Sequence, residues 1–404
     1  MTKASRAQLE YHLLVLLTLG LVAFGLVMVY SASSARAMLA AGDPAYYLKR
    51  QALYALLGLG LLALMSRVDF RKLRFGGGPL LAVSFFLLVA VLALGAEVNG
   101  ARRWLSTGVI DFQPSELAKL ALALWVAGLL VRRPVPTTLG ELLRPLGLVV
   151  GLACGLILVE PDLGTAIAIA VMTTAMLVAA GTQLRLLLAG ASIGGTIVLA
   201  AIWLEPYRRA RLFSFLDPWQ DPDGAGFQSV QALIALGSGG FFGVGLGESV
   251  QKVYYLPEAS TDMIFAIVGE ELGLFGSLAV IAAFALFGYV GFNVALRCRD
   301  PFGKVLATGI TALICGQAAL NMSAVLGLLP LTGIPLPFVS YGGSSLVIGL
   351  TSVGVLLNIA VNGSLAEAKV PDRHRRDGRT RAAGDRRRRS ARSARRGRQL
   401  RRYA

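Results

Sequence analysis

YHLLVLLTLGLVAFGLVMVY, residues 11–30, runs for twenty residues without an Asp, Glu, Lys or Arg. About 20 apolar residues in a helix cross the ~30 Å hydrocarbon layer of a bilayer. A helix satisfies its own backbone N–H and C=O groups, which lipid cannot do. The stretch therefore predicts a transmembrane helix, and the chain repeats the pattern. Further apolar runs lie at 50–66, 79–95, 115–132, 143–159, 163–181, 185–204, 263–295, 304–327 and 343–362. The predicted fold is an all-α integral membrane protein of about ten transmembrane helices. The run at 263–295 is too long for one upright helix. It is either tilted or begins as a short helix outside the bilayer core.

Composition agrees. Of 404 residues, 55% are hydrophobic and 15% charged. Soluble domains carry about 25% charged residues. An ordinary cytosolic enzyme, a secreted disulfide scaffold and a disordered chain are all excluded. Cys154, Cys298 and Cys315 are odd in number, lack metal-ligand spacing and read as small packing residues. Lys3 and Arg6 before the first run, with Ala35-Arg36-Ala37 after it, imitate a secretory signal. The length of the run and the nine that follow argue for a retained span.

The net charge of +16 is unevenly placed, because residues 371–404 hold 15 Arg and 3 Asp. Such a block is expected to be disordered and attracted to anions. Three parts follow: a cytoplasmic N-terminus at 1–10, a ten-span membrane domain at 11–362, and an Arg-rich tail at 363–404. Basic loop residues orient the bundle. With the N-terminus cytoplasmic, the inner loops hold 13 basic residues and the outer loops seven to nine. The C-terminus is then cytoplasmic too. The longest connection, the outer loop at 205–262 between spans seven and eight, carries Pro, Gly, Trp and charge in amounts that read as non-helical. Long loops in compact proteins are usually functional, so the working face is expected on the outside.

Five polar constellations interrupt the apolar background. The first is Asn99-Gly100-Ala101-Arg102-Arg103-Trp104 with Phe112-Gln113-Pro114-Ser115-Glu116-Leu117-Ala118-Lys119. Ser115 suits an N-cap and Glu116 the first turn of a helix. Lys119 shares a face with Glu116. An ionisable pair entering a span is a functional candidate, against the plainer reading of an interfacial ion pair. Arg102 and Arg103 beside Trp104 suit a phosphate at headgroup level. The second is Glu160-Pro161-Asp162-Leu163-Gly164-Thr165, a polar turn or a ligand site. The third is the long outer loop, where Asp217-Pro218-Trp219 and Asp221-Pro222-Asp223-Gly224 are turn chemistry that does not fit a calcium loop, and the glycine-rich 237–247 stretch does not match a dinucleotide fingerprint. In the fourth, Tyr255-Leu256-Pro257-Glu258-Ala259-Ser260-Thr261-Asp262-Met263, Asp262 is either a simple helix cap or a carboxylate raised toward a general base. Glu270 and Glu271 follow two turns deeper. The fifth, residues 327–345, has three prolines and several glycines and cannot be continuous helix. Irregular backbone at membrane depth must face protein or a cavity, into which Ser340, Tyr341 and Ser344 would point.

Together these motifs resemble the SEDS family of bacterial cell-wall synthesis proteins (FtsW, RodA and SpoVE). NGARRW, FQPSELAK, EPDLGTA, DPWQDPDGAGFQ, YYLPEASTDMIFAIVGEELG and GIPLPFVSYGGSS stand in family order and spacing, covering residues 10 to 362. VMVYSASS at 27–34, GDPAYYLKRQ at 42–51 and the 217–228 stretch resemble the division members, FtsW, more than the elongation members.

The resemblance implies a peptidoglycan glycosyltransferase that polymerises lipid II on the outer face of the bacterial cytoplasmic (inner) membrane, at the division septum. It implies Asp262 as the catalytic residue. The family's His-Thr-Asp-Phe reads Ser260-Thr261-Asp262-Met263 here, which puts any role of the histidine in doubt. Expected substrate-binding residues are Arg102, Arg103, Glu116, Lys119, Glu258, Thr261, Ser340, Tyr341 and Ser344. No organic cofactor is expected, and the diphosphate leaving group is compatible with a divalent cation, Mg2+ or Mn2+. Expected partners are lipid II, a class B penicillin-binding protein of the FtsI-like transpeptidase type, other divisome proteins and membrane lipids. Nucleic acid is not expected, since no folded reader accompanies the basic tail. Rival readings are a lipid II flippase, an elongation-type RodA-like polymerase and a non-catalytic division scaffold. A carrier would place its site near the bilayer midplane, whereas Asp262 lies at the outer mouth.

Overall fold

Each apolar run forms the helix its length requires. In the computed structural model, which describes residues 3–98, 101–106, 111–253 and 255–363, ten helices are long and apolar enough to cross a membrane. In chain order they are Arg6–Ala41, Tyr46–Arg67, Phe70–Leu94, Pro114–Arg132, Leu139–Val159, Leu163–Ala180, Leu184–Leu204, Ile264–Arg297, Pro301–Val325 and Gly343–Asn362, numbered below as spans 1 to 10. The chain is a multi-pass membrane protein. Its Arg-rich tail lies outside the described residues.

Spans 4, 9 and 10 form the centre. Span 9 is buried over 78% of its apolar stretch and span 7 over none of it. Span 10 packs on span 2, span 3 on span 4, span 8 on span 9 and span 9 on span 6. Span 1 lies along span 8. A Cβ at Gly25 of span 1 would collide with the Phe338 carbonyl, so glycine lets this helix press onto the 330–342 segment.

Several boundaries differ from the sequence reading. Span 3 starts at Phe70, nine residues before the apolar run, because Asp69 caps it and accepts a bond from Arg71 N at 3.0 Å. Pro79 is absorbed inside the helix. Span 4 begins on Pro114 with Gln113 as N-cap, so Ser115 is not the cap. Proline suits a first helical position, having no N–H to leave unpaired. The 205–262 connection, read as non-helical, contains two helices, Pro206–Leu216 and Phe227–Ser238. Its turn-forming residues are concentrated between them, where Asp217 accepts a bond from Trp219 N at 3.2 Å. The hairpin before span 4 adds a small antiparallel sheet: β1 (Ala96–Val98), β2 (Ala101–Ser106) and β3 (Asp111–Phe112), in the order β1-β2-β3.

Span 8 resolves the overlong run. Gly273, at φ 66° and ψ −158°, divides it into a short helix at 264–272 and a long helix at 274–297. An L side chain is disfavoured at that φ, and a Cβ there would meet the Phe241 main chain. The break exposes backbone groups, and the glycine-rich segment satisfies them. Val244 N donates to Glu270 O at 3.0 Å and Gly245 N to Glu271 O at 3.1 Å. Leu274 N donates to Gly240 O at 2.9 Å and Phe275 N to Phe241 O at 3.3 Å. Irregular backbone near a span is thus stitched to protein, as a low-dielectric setting demands.

Candidate functional site

The short helix at 264–272 is preceded by a tight turn at 257–263. Glu258 takes φ 56°, a left-handed conformation costly for a residue with a Cβ. It lets the Glu258 carbonyl accept from both Thr261 N at 3.1 Å and Met263 N at 3.2 Å. The Thr261 hydroxyl lies 2.8 Å from Glu258 Oε2 and 3.4 Å from Asp262 Oδ1. Both carboxylates and the hydroxyl therefore share one turn. The N-cap of the helix is Met263, and no side chain caps it. Asp262 is therefore not the helix cap.

The opposite wall is the irregular segment between spans 9 and 10. Tyr341 N donates to Ser260 O at 2.8 Å, tying this segment to the Asp262 turn. A Cβ at Gly333 would stand 3.9 Å from Asp262 Oδ2, so the segment also borders the carboxylate. Asn321 of span 9 bonds both walls: its Nδ2 donates to Asp262 O at 2.7 Å and to Ile334 O at 2.8 Å. Phe338 adopts φ 66°, so this wall, like the Glu258 turn facing it, carries a left-handed residue. Such strain persists only where the surroundings enforce it, and it concentrates at functional sites.

Asp262 is partly buried. Burial pushes its carboxyl up to about 7, and the nearby Glu258 carboxylate adds to the rise. Arg211, from the Pro206–Leu216 helix, pulls it back down, as does the Thr261 hydroxyl. The Arg211 guanidinium is anchored by a bond from Nη1 to Leu331 O at 3.3 Å. A carboxyl that titrates near neutrality suits proton transfer.

The other expected residues are distributed around this centre. Ser340 Oγ accepts from Leu336 N at 2.8 Å and so closes the turn through Pro337 and Phe338. Tyr341 meets Tyr47 edge-to-face, ring centroids 5.0 Å apart. Burial pushes its phenol up to about 12, so it keeps its proton. The Ser344 hydroxyl donates to Asp111 O at 3.0 Å and accepts from Gln113 N at 3.1 Å, fastening the β-hairpin to span 10. Side chains alternate along a strand, and Arg102 and Arg103 diverge accordingly. Arg102 pairs with Glu97 at 3.5 Å on the surface. Arg103 grips the turn after span 5, donating from Nε to Glu160 O at 2.7 Å and from Nη2 to Pro161 O at 2.6 Å.

Glu116 and Lys119 form a buried ion pair of 2.8 Å, with side chains 5% and 1% exposed. The pair lines a small internal cavity with Gln317, Phe338 and Ser352. Gln317 lies one helical turn from Asn321, so this cavity sits deeper than the Asp262 turn on the same span. Glu160 is fully buried, and neither carboxyl oxygen has a hydrogen-bond partner. Burial, with Asp162 adding, pushes it up to about 8. Asp162 is the N-cap of span 6, accepting from Thr165 N at 2.9 Å.

Two residues at the centre carried no signal in the sequence. Asn321 is one amide in an apolar run, and Arg211 one cation in a long loop. Only the folded chain brings them to Asp262. Among the described residues, no group of three or more His, Cys, Asp or Glu could hold a metal ion. Glu258 and Asp262 in one turn are two acidic oxygen donors. A divalent ion there would take its remaining ligands from phosphate and water, as Mg2+ commonly does.

Comparison with known proteins places this geometry. The family model described as cell cycle protein, FtsW/RodA/SpoVE, matches residues 11–365. A probable peptidoglycan glycosyltransferase FtsW from Trichlorobacter lovleyi is 43% identical over 362 residues, covering 88% of this chain and 95% of that protein. One of the same description from Geobacter sulfurreducens is 42% identical over 355 residues, covering 87% and 95%. Among solved structures, a chain of a peptidoglycan synthase complex, in which polymerization and crosslinking are structurally coordinated, aligns with TM-score 0.71 and 32% identity. It covers 86% of this chain and 96% of that chain. The rod shape determining protein RodA of Thermus thermophilus aligns with TM-score 0.64 and 30% identity, covering 87% and 96%.

Proposed function

Because this chain belongs to the FtsW/RodA/SpoVE family of membrane proteins, we read it as a peptidoglycan glycosyltransferase and propose that Asp262 is its general base. The substrate is lipid II, as both donor and acceptor. The observation that carries the reading is the Asp262 carboxyl itself: partly buried, free of any capping duty, and raised to about 7 at the mouth of the bundle. A sugar hydroxyl is a very weak acid and loses its proton only as it attacks. Asp262 accepts that proton while the acceptor oxygen bonds to the anomeric carbon of the donor. The bond from that carbon to the diphosphate breaks, and single displacement inverts the centre. Undecaprenyl diphosphate departs.

The leaving group carries growing negative charge and requires cations. Arg211 lies within electrostatic reach of Asp262, and Arg103 and Arg102 stand on the neighbouring hairpin. Lys119 stands deeper, already paired with Glu116. A Mg2+ or Mn2+ ion would take Glu258 as a protein ligand and neutralise the diphosphate. Thr261 orients the two carboxylates, and Asn321 fixes the main chain beneath them. Tyr341 and the serines at 340 and 344 build the wall across which the sugars pass.

We place the site on the outer face of the cytoplasmic membrane, with both termini cytoplasmic, as the basic inner loops favour. The FtsW relatives favour division over elongation, hence a septal location and a class B penicillin-binding protein as partner. Other divisome proteins and membrane lipids complete its surroundings.

The test is polymerisation of labelled lipid II by the purified complex with its transpeptidase partner, wild type against Asp262→Ala. Polymer from wild type and none from a stably folded Asp262→Ala supports the reading. Equal polymer from both removes Asp262 from the mechanism. No polymer from either, in an intact complex, favours a flippase or a scaffold.

A further inference from the structure

A polymerase that adds many sugars without release must hold its product as well as its substrates. A second concavity on the outer side suits that task. It is an open trough of about 650 Å³ between the outer end of span 1 and a wall formed by residues 247–253 and Tyr255. Its volume falls within the roughly 300–1,000 Å³ usual for ligand sites. Tyr30, Ser34 and Met38 line one side, and Glu248, Val250 and Tyr255 the other.

Three observations identify the occupant. The first is height. The apolar run of span 1 ends at Tyr30, but the helix continues to Ala41. Eleven further residues add ~16 Å of helix. Ser34 and Met38 therefore stand above the hydrocarbon layer, with Tyr30 at the interface where tyrosine is favoured. The trough faces water, not acyl chains.

The second is charge. Lys252 is the cation of the trough, and its Nζ lies 2.7 Å from Glu271 Oε1 and 3.2 Å from Ser31 Oγ. Its charge is answered inside the protein, while Glu248 is exposed on the rim. A diphosphate would be repelled. What remains is exposed tyrosine, Tyr30 at 42% and Tyr255 at 51%, and a serine hydroxyl, set among the apolar side chains of Met38, Pro44 and Val250. Aromatic faces and hydroxyls are the chemistry of an uncharged sugar ring.

The third is continuity with Asp262. Tyr255 belongs to the same short segment as Asp262, which a bond from Leu256 N to Gln251 O at 2.8 Å folds compactly. On the other wall, Pro44 leads to Tyr47, whose ring meets Tyr341, and Tyr341 is bonded to Ser260.

We propose that this trough is a product subsite that binds the nascent glycan strand, with Tyr30 and Tyr255 as its stacking surfaces. The proposal rests on the reading of the chain as a glycan polymerase, and the test separates the two. The proteins are the transpeptidase complexes of wild type, of Tyr30→Ala/Tyr255→Ala, and of Ser34→Trp, which fills the trough instead of stripping it. Losing two aromatic contacts of ~0.5 kcal/mol each, ~1 kcal/mol together, raises strand release about fivefold. Strand length is set by elongation against release, so mean length is expected to fall by a similar factor in both variants. The rate at which first linkages form is expected to fall less. In parallel, peptide-free glycan oligosaccharides are titrated onto the Asp262→Asn complex, with and without Tyr255→Ala. Weaker binding in the double variant supports the subsite and needs no turnover. Unchanged strand length together with unchanged oligosaccharide binding overturns it, as does rate falling in step with length. Absence of polymer from the wild type, with oligosaccharide binding intact, counts against the polymerase reading and leaves the subsite standing.

Discussion

Asn321 holds the main chain of Asp262 from a different helix: its Nδ2 lies 2.7 Å from Asp262 O and 2.8 Å from Ile334 O. One amide thereby sets the spacing between the turn that carries the carboxylate and the segment that faces it. Misplacing a reacting group by about 1 Å can cost roughly 10²-fold in rate. Asn321→Ala is expected to lower polymerisation by about that factor, while removing two hydrogen bonds costs only ~1–3 kcal/mol of stability. Polymerisation and thermal unfolding of the same preparation check it. Activity within a factor of two of wild type would reduce Asn321 to a packing residue.

The pH dependence follows from Asp262. Its carboxyl is raised to about 7, and only the ionised form accepts a proton. Activity is expected to rise with pH, about tenfold per unit below pH 7, and to level off above it. Arg211 opposes the rise in pKa, so Arg211→Ala should move the midpoint to higher pH. A rate profile of initial polymerisation between pH 5 and 9 would reveal both. A flat profile would remove Asp262 as the titrating base.

Glu160 makes a stability prediction with the opposite sense. Its folded value of about 8 lies above the ordinary 4.5, so the folded state retains a proton that the unfolded state releases. Stability is then full below about pH 4.5 and declines as pH rises toward 8, by at most ~1.4 kcal/mol per unit. Glu160→Gln keeps the shape and removes the titration. The variant is expected to melt higher than wild type at pH 8 and to converge with it in acid. Parallel melting curves at all pH values would contradict this.

The Glu116–Lys119 pair is a fourth case. Both side chains are buried, and removing one leaves the other charged in a dry interior. Lys119→Ala is expected to destabilise by about 3–5 kcal/mol. The double change Glu116→Gln/Lys119→Met removes both charges and should recover most of that loss. Unfolding in detergent measures the difference. If the double variant is stable yet inactive, the charges matter for substrate rather than for folding.

Much of the architecture was legible because lipid imposes a length rule on each helix, and all ten apolar runs became spans. The errors came where local chemistry overrode composition. Asp69 started span 3 early, and Pro79 was accommodated within it. The long connection holds helices because its prolines and glycines fall at their ends and between them, at 217–226 and from 237 onward. At the site, Asp262, Thr261 and Glu258 are neighbours in sequence, so their proximity is legible there. Asn321 is 59 residues from Asp262 and looks like any other polar residue in an apolar helix. Its importance comes from a crossing of helices that no local pattern encodes. The strained Phe338 was likewise invisible, since a phenylalanine gives no hint of a left-handed backbone.

The interruption at Gly273 means that the outer segment of span 8 is not rigidly continuous with its membrane anchor. The 264–272 helix hangs from the crossing helix at a fulcrum, and the 240–245 strip is bonded to both arms. Anything that pushes on that strip works a short lever whose far end is Asp262. Displacing the carboxylate therefore also strains spans 1 and 9, which Ser31 and Asn321 tie to this arm.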